Sequence, residues 1–204
     1  VKDFENKRVM TTIDDSSEVS LKAMMISRKV KIEDLKFIKH SHNIDDLINN
    51  KTDVISAYIS KAPFELNKKN IQYNIFDPKK FGFDMYSDML YTSENLISSD
   101  LNTVLLFKKA SLKGWEYAFS NIEESSEFLY KNKNSQKLLV EELIYEGKEL
   151  KKLAYFNTAN LGEIKKDKIQ RIYDLYNLMG LIDKPVDLEK FVFDLNNLKD
   201  LTFS

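Results

Sequence analysis

The stretch Asp53–Leu96 reads DVISAYISKAPFELNKKNIQYNIFDPKKFGFDMYSDMLYTSENL, and it decides the fold. It opens with a nearly continuous apolar run, Val54–Ile59, which is typical of a strand buried on both faces of a parallel sheet. Two further strands are predicted within it, at Ile71–Phe76 and Met85–Tyr91. Polar and aromatic groups stand at the ends of these strands, where open α/β sheets bind small ligands.

Upstream, the chain alternates strand and helix. Strands are predicted at Arg8–Ile13 and Leu35–Lys39, and a short helix, capped by its first residue, at Asn43–Asn50. Between the two strands, Asp15 with Glu18 three residues later fits a capping box, which predicts a helix start. The pattern indicates a βα-type, mostly parallel sheet.

From residue 101 onward the pattern is helical. A helix follows the predicted cap Asn121, another spans Leu139–Leu153, and the last spans Ile169–Met179 and is stopped by Gly180. The first of the C-terminal helices carries an apolar stripe that predicts core residues: Leu101, Val104, Leu105, Leu112, Trp115 and Phe119. The fold class predicted is α/β with additional C-terminal helices.

The amino-acid composition excludes several classes of partner and of chemistry. The 204 residues are 43% hydrophobic, enough for a sizeable core, and 31 basic against 32 acidic residues leave a net charge of -1. This balance argues against nucleic acid or anionic lipid as a partner. The absence of cysteine excludes disulfides, thiolate zinc sites and a thiol nucleophile. The chain begins at Val1 without methionine, so we expect a piece of a longer protein.

The first candidate ligand site is the turn that starts the first helix, with Asp15, Ser16, Ser17 and Glu18. A helix N-terminus offers free N–H donors, and serine hydroxyls adapt to many acceptors. The simpler interpretation is a helix cap alone. Adjacent acids would repel a phosphate, so a ligand here would be neutral or cationic.

The second candidate site lies on the predicted strand Met85–Tyr91. Asp84, Tyr86 and Asp88 alternate and would project from one face, where they could grip an amine or an amidine-like ring. A solvated face is the alternative. Ser56 and Tyr58 are predicted beside them, with Tyr58 either stacking on a ligand ring or packing in the core.

His40 and His42 are the only histidines, and their spacing is compatible with metal ligation. No cysteine completes a ligand set, so solvated side chains are favoured over a metal. No G-x-S-x-G elbow or phosphate-cradling glycine loop is present. The sequence predicts no cofactor and no catalysis.

Four segments together resemble the periplasmic solute-binding proteins of the SsuA and thiamine-precursor type. They are SHNIDDLINNKTDVISAYISKAPFEL (41–66), YNIFDPKKFGFDMYSDMLYTSE (73–94), ASLKGWEYAF (110–119) and DLYNLMGLIDKPVDLEKFVFDL (174–195). The resemblance implies a type 2 periplasmic-binding fold, in which two lobes close over a small molecule. It further implies one solute-binding domain over 1–204, with the second lobe at about 1–120, C-terminal helices at about 121–204, and most of the first lobe absent.

The same resemblance implies a function and a place in the cell. It implies a non-catalytic, periplasmic ligand-binding domain, either the sensory part of a membrane-tethered bacterial signalling protein or a transporter's substrate-binding protein. The ligand expected is pyrimidine-like or amine-containing, held by Asp15 to Glu18, Asn43, Ser56, Tyr58 and Asp84 to Asp88. Lys61-Ala62 replaces the family's Asn-Glu before Pro63-Phe64. The alternatives are an enzyme-like thiamine-pyrimidine protein, which the absence of cysteine disfavours, and a scaffold that has lost its ligand.

Overall fold

The computed structural model describes residues 2–12 and 16–193 and has a mixed α/β architecture, as the sequence predicts. In this described part, three strands form a parallel sheet: β1 (Arg8–Thr11), β2 (Lys36–Lys39) and β3 (Val54–Ile55). Their order is β2-β1-β3, and Val9 pairs with both Phe37 and Val54. The predicted parallel pairing is therefore confirmed, and the fold is of the periplasmic-binding-like α/β type.

Helices make up most of the remaining regular structure. The described residues contain these α-helices: α1 (Ser16–Ser27), α2 (Asp45–Ile48), α3 (Ala62–Lys68), α4 (Glu94–Ser99), α5 (Leu101–Ser120), α6 (Ile122–Asn132), α7 (Val140–Ala154), α8 (Lys166–Leu178) and α9 (Leu188–Phe191). Short 3-10 helices lie at Lys2–Phe4, Ile32–Asp34 and Pro78–Phe81. None of the helices described combines the length and the apolar content needed to cross a membrane.

The core lies between the sheet and α1. Val9 of β1 is fully buried, as are Met24 and Met25 of α1, and Phe4 covers one end of this cluster. From residue 18 to residue 25 only Lys22 is not fully buried, so α1 is enclosed on nearly every side. A helix enclosed in this way takes its stability from packing rather than from helix propensity.

The predictions of strands at Ile71–Phe76 and Met85–Tyr91 are wrong. Both segments are irregular, and no strand lies beside them among the described residues. Alternating side chains predict an extended backbone, but a strand also needs a partner to complete its hydrogen-bond ladder. The first segment is instead held by its last side chain, Phe76, which meets the Phe4 ring edge-on with ring centroids 4.8 Å apart.

The predicted strand Val54–Ile59 is also shorter than expected, because β3 ends at Ile55. The next residue, Ser56, still donates its N–H to the Met10 carbonyl at 2.9 Å. Beyond it the chain turns, and the Lys61 N–H donates to the Tyr58 carbonyl at 3.0 Å. The last residue pair of this ladder is Met10 with Ile55, one residue before β1 ends at Thr11.

The C-terminal helices agree with the sequence pattern. Asn121 directly precedes α6. The helix predicted at Leu139–Leu153 corresponds to α7, and α8 ends two residues before Gly180. Gly180 has φ +70°, a left-handed conformation that terminates helices and favours glycine. Asn121, however, places its side-chain amide on the Tyr117 carbonyl at 2.9 Å and makes no side-chain cap.

The chain divides into two compact units. The first comprises Val1–Met85 and Tyr117–Asn157, and the second comprises Tyr86–Glu116 and Thr158–Ser204. In the described part of the second unit, Ile169 is the only apolar residue that is fully buried. The prediction that Trp115 is a core residue is wrong, because 51% of its surface is exposed. Its unit buries too little apolar surface to enclose a large ring.

Candidate functional site

The carboxyl ends of the three strands meet at one edge of the sheet. The His40 N–H continues the ladder beyond β2 by donating to the Thr11 carbonyl at 3.1 Å. On the other side, the Ser56 N–H continues it beyond β3 by donating to the Met10 carbonyl at 2.9 Å. These two bonds bring Thr11, His40 and Ser56 together, as parallel pairing of β1 with both neighbours requires.

His40 connects two of these strand exits through its ring. Its Nε2 lies 2.6 Å from the Ser56 carbonyl oxygen, and its Nδ1 accepts the His42 N–H at 2.8 Å. The His42 ring stacks on the His40 ring, with centroids 4.5 Å apart and planes 16° apart. Both ring nitrogens of His40 are thus bonded within the protein. Neither offers the lone pair that a metal ligand must supply.

The loop after β2 is held by its own side chains. The Ser41 hydroxyl accepts the Asn43 N–H at 3.2 Å and lies 3.4 Å from the Met10 sulfur. Asn43 Oδ1 in turn accepts the Asp45 N–H at 2.9 Å. The predicted helix Asn43–Asn50 is nevertheless shorter than expected, because α2 spans Asp45–Ile48 and Ile44, rather than Asn43, is its N-cap residue. Hydrogen bonds from Lys51 and Ser41 hold the pKa of the Asp46 carboxyl below its usual range. Asn43 itself is exposed at this edge.

Thr11 is a site residue that the sequence reasoning missed. Its side chain is fully buried at the end of the central strand, and its hydroxyl has no hydrogen-bond partner among the described residues. A buried hydroxyl without a partner costs free energy, so such groups are rare and are often functional. A threonine at the end of the apolar run RVM was the signal available in the sequence.

Of the predicted site at the first helix, only Glu18 has a described side chain. Asp15 lies outside the described residues, and so do the side chains of Ser16 and Ser17, although both serines belong to the first turn of α1. Glu18 is buried, with 7% of its surface exposed, and forms an ion pair with Lys22 one turn later. The negative charge of Glu18 is therefore already balanced by a lysine of the same helix.

The predicted row of Asp84, Tyr86 and Asp88 lacks the strand that would align it. Tyr86 accepts the Lys165 N–H on its hydroxyl at 2.9 Å, and the Lys168 ammonium lies 4.2 Å from its ring centroid. Asp84 is half-buried and Asp88 is exposed. The alternation argument for a common face is therefore wrong, because it depended on a strand.

The predicted convergence of these groups on one cleft stays a prediction. Tyr58 and Asp84 belong to the first unit, and Tyr86 and Asp88 belong to the second. Tyr58 exposes 69% of its surface beside the exit of β3, so it is not a core residue. Its ring is free of the apolar core and can contact a solute.

Two open depressions on the first unit are lined by none of these residues. One of them, of about 720 Å³, is lined by Tyr145, Tyr155 and Phe156 with several lysines around them. Two of those lysines are engaged, since Lys148 pairs with Glu123 at 3.4 Å and Lys151 donates to the Phe119 carbonyl at 2.8 Å. We place the site at the sheet edge instead, because polar groups from three strands converge there. Within residues 2–12 and 16–193, no group of three or more acidic or histidine side chains could hold a metal ion.

Comparison with known proteins agrees with this architecture. No curated protein matches the chain. Residues 1–125 match the model of a protein family described as NMT1/THI5 like, a family of the periplasmic-binding type. The matched segment includes all three strands, the sheet edge and Tyr86. Because the match covers more than half of its 204 residues, the chain belongs to the NMT1/THI5 like family.

Proposed function

We propose that this chain is a non-catalytic binding domain that holds a small, hydrogen-bonding solute at the carboxyl edge of its parallel sheet. Membership of the NMT1/THI5 like family supports a solute-binding role, since the family binds small molecules in general. The observation that carries the proposal is the buried, unpartnered hydroxyl of Thr11 at the end of the central strand. A solute that bonds to it would remove the cost of leaving it unpaired.

The chemistry of the edge favours a solute of low charge. Neighbouring charges are already paired, Glu18 with Lys22 and Asp46 with Lys51 at 2.8 Å. Apart from the exposed Lys39 at the end of β2, the groups left at the edge are neutral: backbone groups, hydroxyls and the exposed ring of Tyr58. A heteroaromatic ring with amino or ring-nitrogen groups can stack on a tyrosine and bond to hydroxyls. We therefore propose a pyrimidine-like or amine-containing solute.

The absence of catalysis is also part of the proposal. A histidine can act as a general base only if one of its nitrogens is free to take a proton from a reacting group. Both nitrogens of His40 are bonded within the chain, and the sequence contains no cysteine nucleophile. Binding without turnover fits these groups better than the enzyme-like thiamine-pyrimidine alternative.

We further propose that the domain works outside the cytoplasm, as the ligand-sensing part of a signalling protein or as a transporter's substrate-binding protein. The periplasmic-binding type of the family supports this location. A fusion of alkaline phosphatase to the parent protein after this chain would be active only if the domain is exported. An inactive fusion at normal expression would contradict the proposed location.

Binding can be tested with thiamine and with 4-amino-2-methylpyrimidine as probes. A probe at 100 times its Kd stabilises a protein by about 2.7 kcal/mol, which thermal unfolding detects. Replacing Tyr58 by alanine should remove this stabilisation while leaving the ligand-free protein folded. The matched control is Tyr91→Ala, because Tyr91 is 91% exposed and belongs to the second unit.

The amide resonances of the sheet edge identify where a probe binds. Shifts at Ser56 and Asn43 support the proposal, whereas shifts confined to the residues around Tyr155 would move the site to the depression on α7. Absence of any response to either probe at millimolar concentration would refute the pyrimidine class. Conversion of either probe into a product would refute the non-catalytic assignment.

A further inference from the structure

The ring of His40 is held in a single protonation state by its two hydrogen bonds. A carbonyl oxygen can only accept, so the nitrogen 2.6 Å from the Ser56 carbonyl, Nε2, must carry a proton. A backbone N–H can only donate, so Nδ1, which receives the His42 N–H at 2.8 Å, must carry none. The geometry therefore requires the neutral ring with its proton on Nε2.

These bonds connect the segments that carry the proposed binding groups. The His40 main chain is tied to Thr11 in β1, its Nε2 to the residue after β3, and its Nδ1 to the loop that starts α2. His42 itself has φ +60°, a left-handed conformation that a residue other than glycine adopts only when its surroundings hold it there. The bond to His40 and the ring stack supply that constraint, and Asn43 follows directly.

We propose that His40 is a positioning residue: its neutral ring clasps the exit of β2 to the exit of β3 and thereby sets the positions of Asn43, Ser56 and Tyr58 at the binding edge. Its relevance to a ligand rests on the proposed function, but the clasp itself does not. Protonation of His40 would place a hydrogen on Nδ1 against the His42 N–H and break that bond. The clasp is accordingly sensitive to acid.

Other titratable groups lie on the segments that meet at this ring, and they must be distinguished from His40. They are the stacked His42 ring, Lys39 at the end of β2, Asp45 and Asp46 in α2, and Tyr58 beyond Ser56. His42 is the other histidine, and its ring lies directly against the His40 ring. A variant that lacks the His42 ring but keeps its backbone N–H therefore separates the two.

The first test needs no ligand. Nitrogen-15 NMR of the histidine rings should show His40 protonated at Nε2 and unprotonated at Nδ1 in the folded 204-residue chain. In His40→Ala, the His42 amide should exchange with solvent about 10-fold faster, which corresponds to about 1.4 kcal/mol and lies within the range for loss of one hydrogen bond. In His42→Ala that amide should stay protected, because the backbone donor and the His40 acceptor both remain.

Acid gives a second readout that a purely structural role would not move. Lowering the pH should reduce the protection of the His42 amide, measured relative to the intrinsic exchange rate at each pH, in the wild type and in His42→Ala, but not in His40→Gln. The glutamine amide offers a donor and an acceptor and does not titrate, so it should restore part of the protection lost in His40→Ala. If His40→Ala does not fold, His40→Gln and the nitrogen-15 measurement still decide the question.

The outcomes separate the clasp from the proposed function. A His40 ring protonated on Nδ1, or unchanged His42 amide exchange in a folded His40→Ala, would overturn the clasp. If the clasp is observed and thiamine binds at the edge, His40→Ala should weaken thiamine binding about 10-fold, and full retention of affinity would refute the positioning role. If the clasp is observed but thiamine shifts no edge amide, the proposed function fails and the clasp stands.

Discussion

Arg8 and Asp53 form the best-connected charged pair in the described chain, and they join the first residue of β1 to the residue before β3. The Asp53 carboxylate accepts from Arg8 Nε at 3.0 Å, from a terminal guanidinium nitrogen at 2.9 Å and from the Arg8 backbone N–H at 2.9 Å. Bidentate geometry of this kind fixes the orientation of the guanidinium and the carboxylate as well as the distance between them. The pair therefore aligns the two strands at the end opposite the binding edge.

This pair predicts how stability depends on pH. The side-chain and backbone hydrogen bonds from Arg8 hold the pKa of Asp53 well below its usual range. A lowered pKa means that the contribution is present above the unfolded value of about 3.9 and is lost as the pH falls below it. Because both side chains are about one-third exposed, we expect Asp53→Asn to cost about 1 kcal/mol at pH 7. Urea unfolding at pH 7 and pH 2.5 should show this cost become smaller in acid, because the contribution is lost progressively as the pH falls from the unfolded pKa toward the lower folded pKa. The exposed Asp88→Asn serves as control, and a cost independent of pH would contradict the assignment.

Thr11 gives a second prediction at this scale, in which stability and binding change in opposite directions. Valine has the same shape without the hydroxyl, so Thr11→Val removes a buried polar group that has no partner. We expect the ligand-free protein to become more stable by about 1 kcal/mol, as measured by urea unfolding, and thiamine binding to weaken. Loss of stability in Thr11→Val would show that the hydroxyl has a partner within the protein.

At the scale of elements, the sequence predicts what local pattern determines and misses what depends on partners. β1, β2 and the start of β3 follow from short apolar runs, and α5 to α8 follow from helical periodicity. The strand prediction for Ile71–Phe76 failed because alternation shows an extended backbone but cannot show whether a second strand lies beside it. The same limit applies to the site. The bonds from His40 to Ser56 and to Thr11 join residues that are 16 or more positions apart, and no local pattern marks those contacts.

Two glycines inside helices test how closely elements pack. A Cβ at Gly147 in α7 would lie 2.9 Å from Ile122 Cγ2 in α6, whereas a Cβ at Gly114 in α5 would meet nothing within 4 Å. Alanine favours helix over glycine by about 1 kcal/mol, so Gly114→Ala should stabilise the protein by up to that amount. Gly147→Ala should destabilise it, because the β-branched Ile122 side chain has few rotamers with which to move away. Thermal unfolding of both variants should give shifts of opposite sign, and a stabilising Gly147→Ala would show that α6 and α7 are not closely packed there.

At the scale of the whole molecule, the two units differ in how much apolar surface they bury. The first contains the cluster around Val9, Met24 and Met25, while the described part of the second buries Ile169 alone among its apolar residues. The second also exposes large apolar side chains, such as Leu178 at 82% and Tyr91 at 91%. Since burial of apolar area is the main favourable term in folding, the second unit has the smaller reserve of stability.

This difference predicts the order in which the molecule opens. Amides of α8 should exchange through local opening at a lower free energy than amides of α1, and low concentrations of urea should accelerate exchange in α8 before α1. Met24→Ala should lower the stability of α1 by about 2 to 5 kcal/mol, the usual cost of truncating a fully buried side chain. Ile169→Ala should speed exchange within α8 while leaving α1 protected. If α1 and α8 instead exchange with one common free energy in the wild type and respond equally to both substitutions, the two units unfold as one, and the smaller buried core of the second unit does not limit its stability.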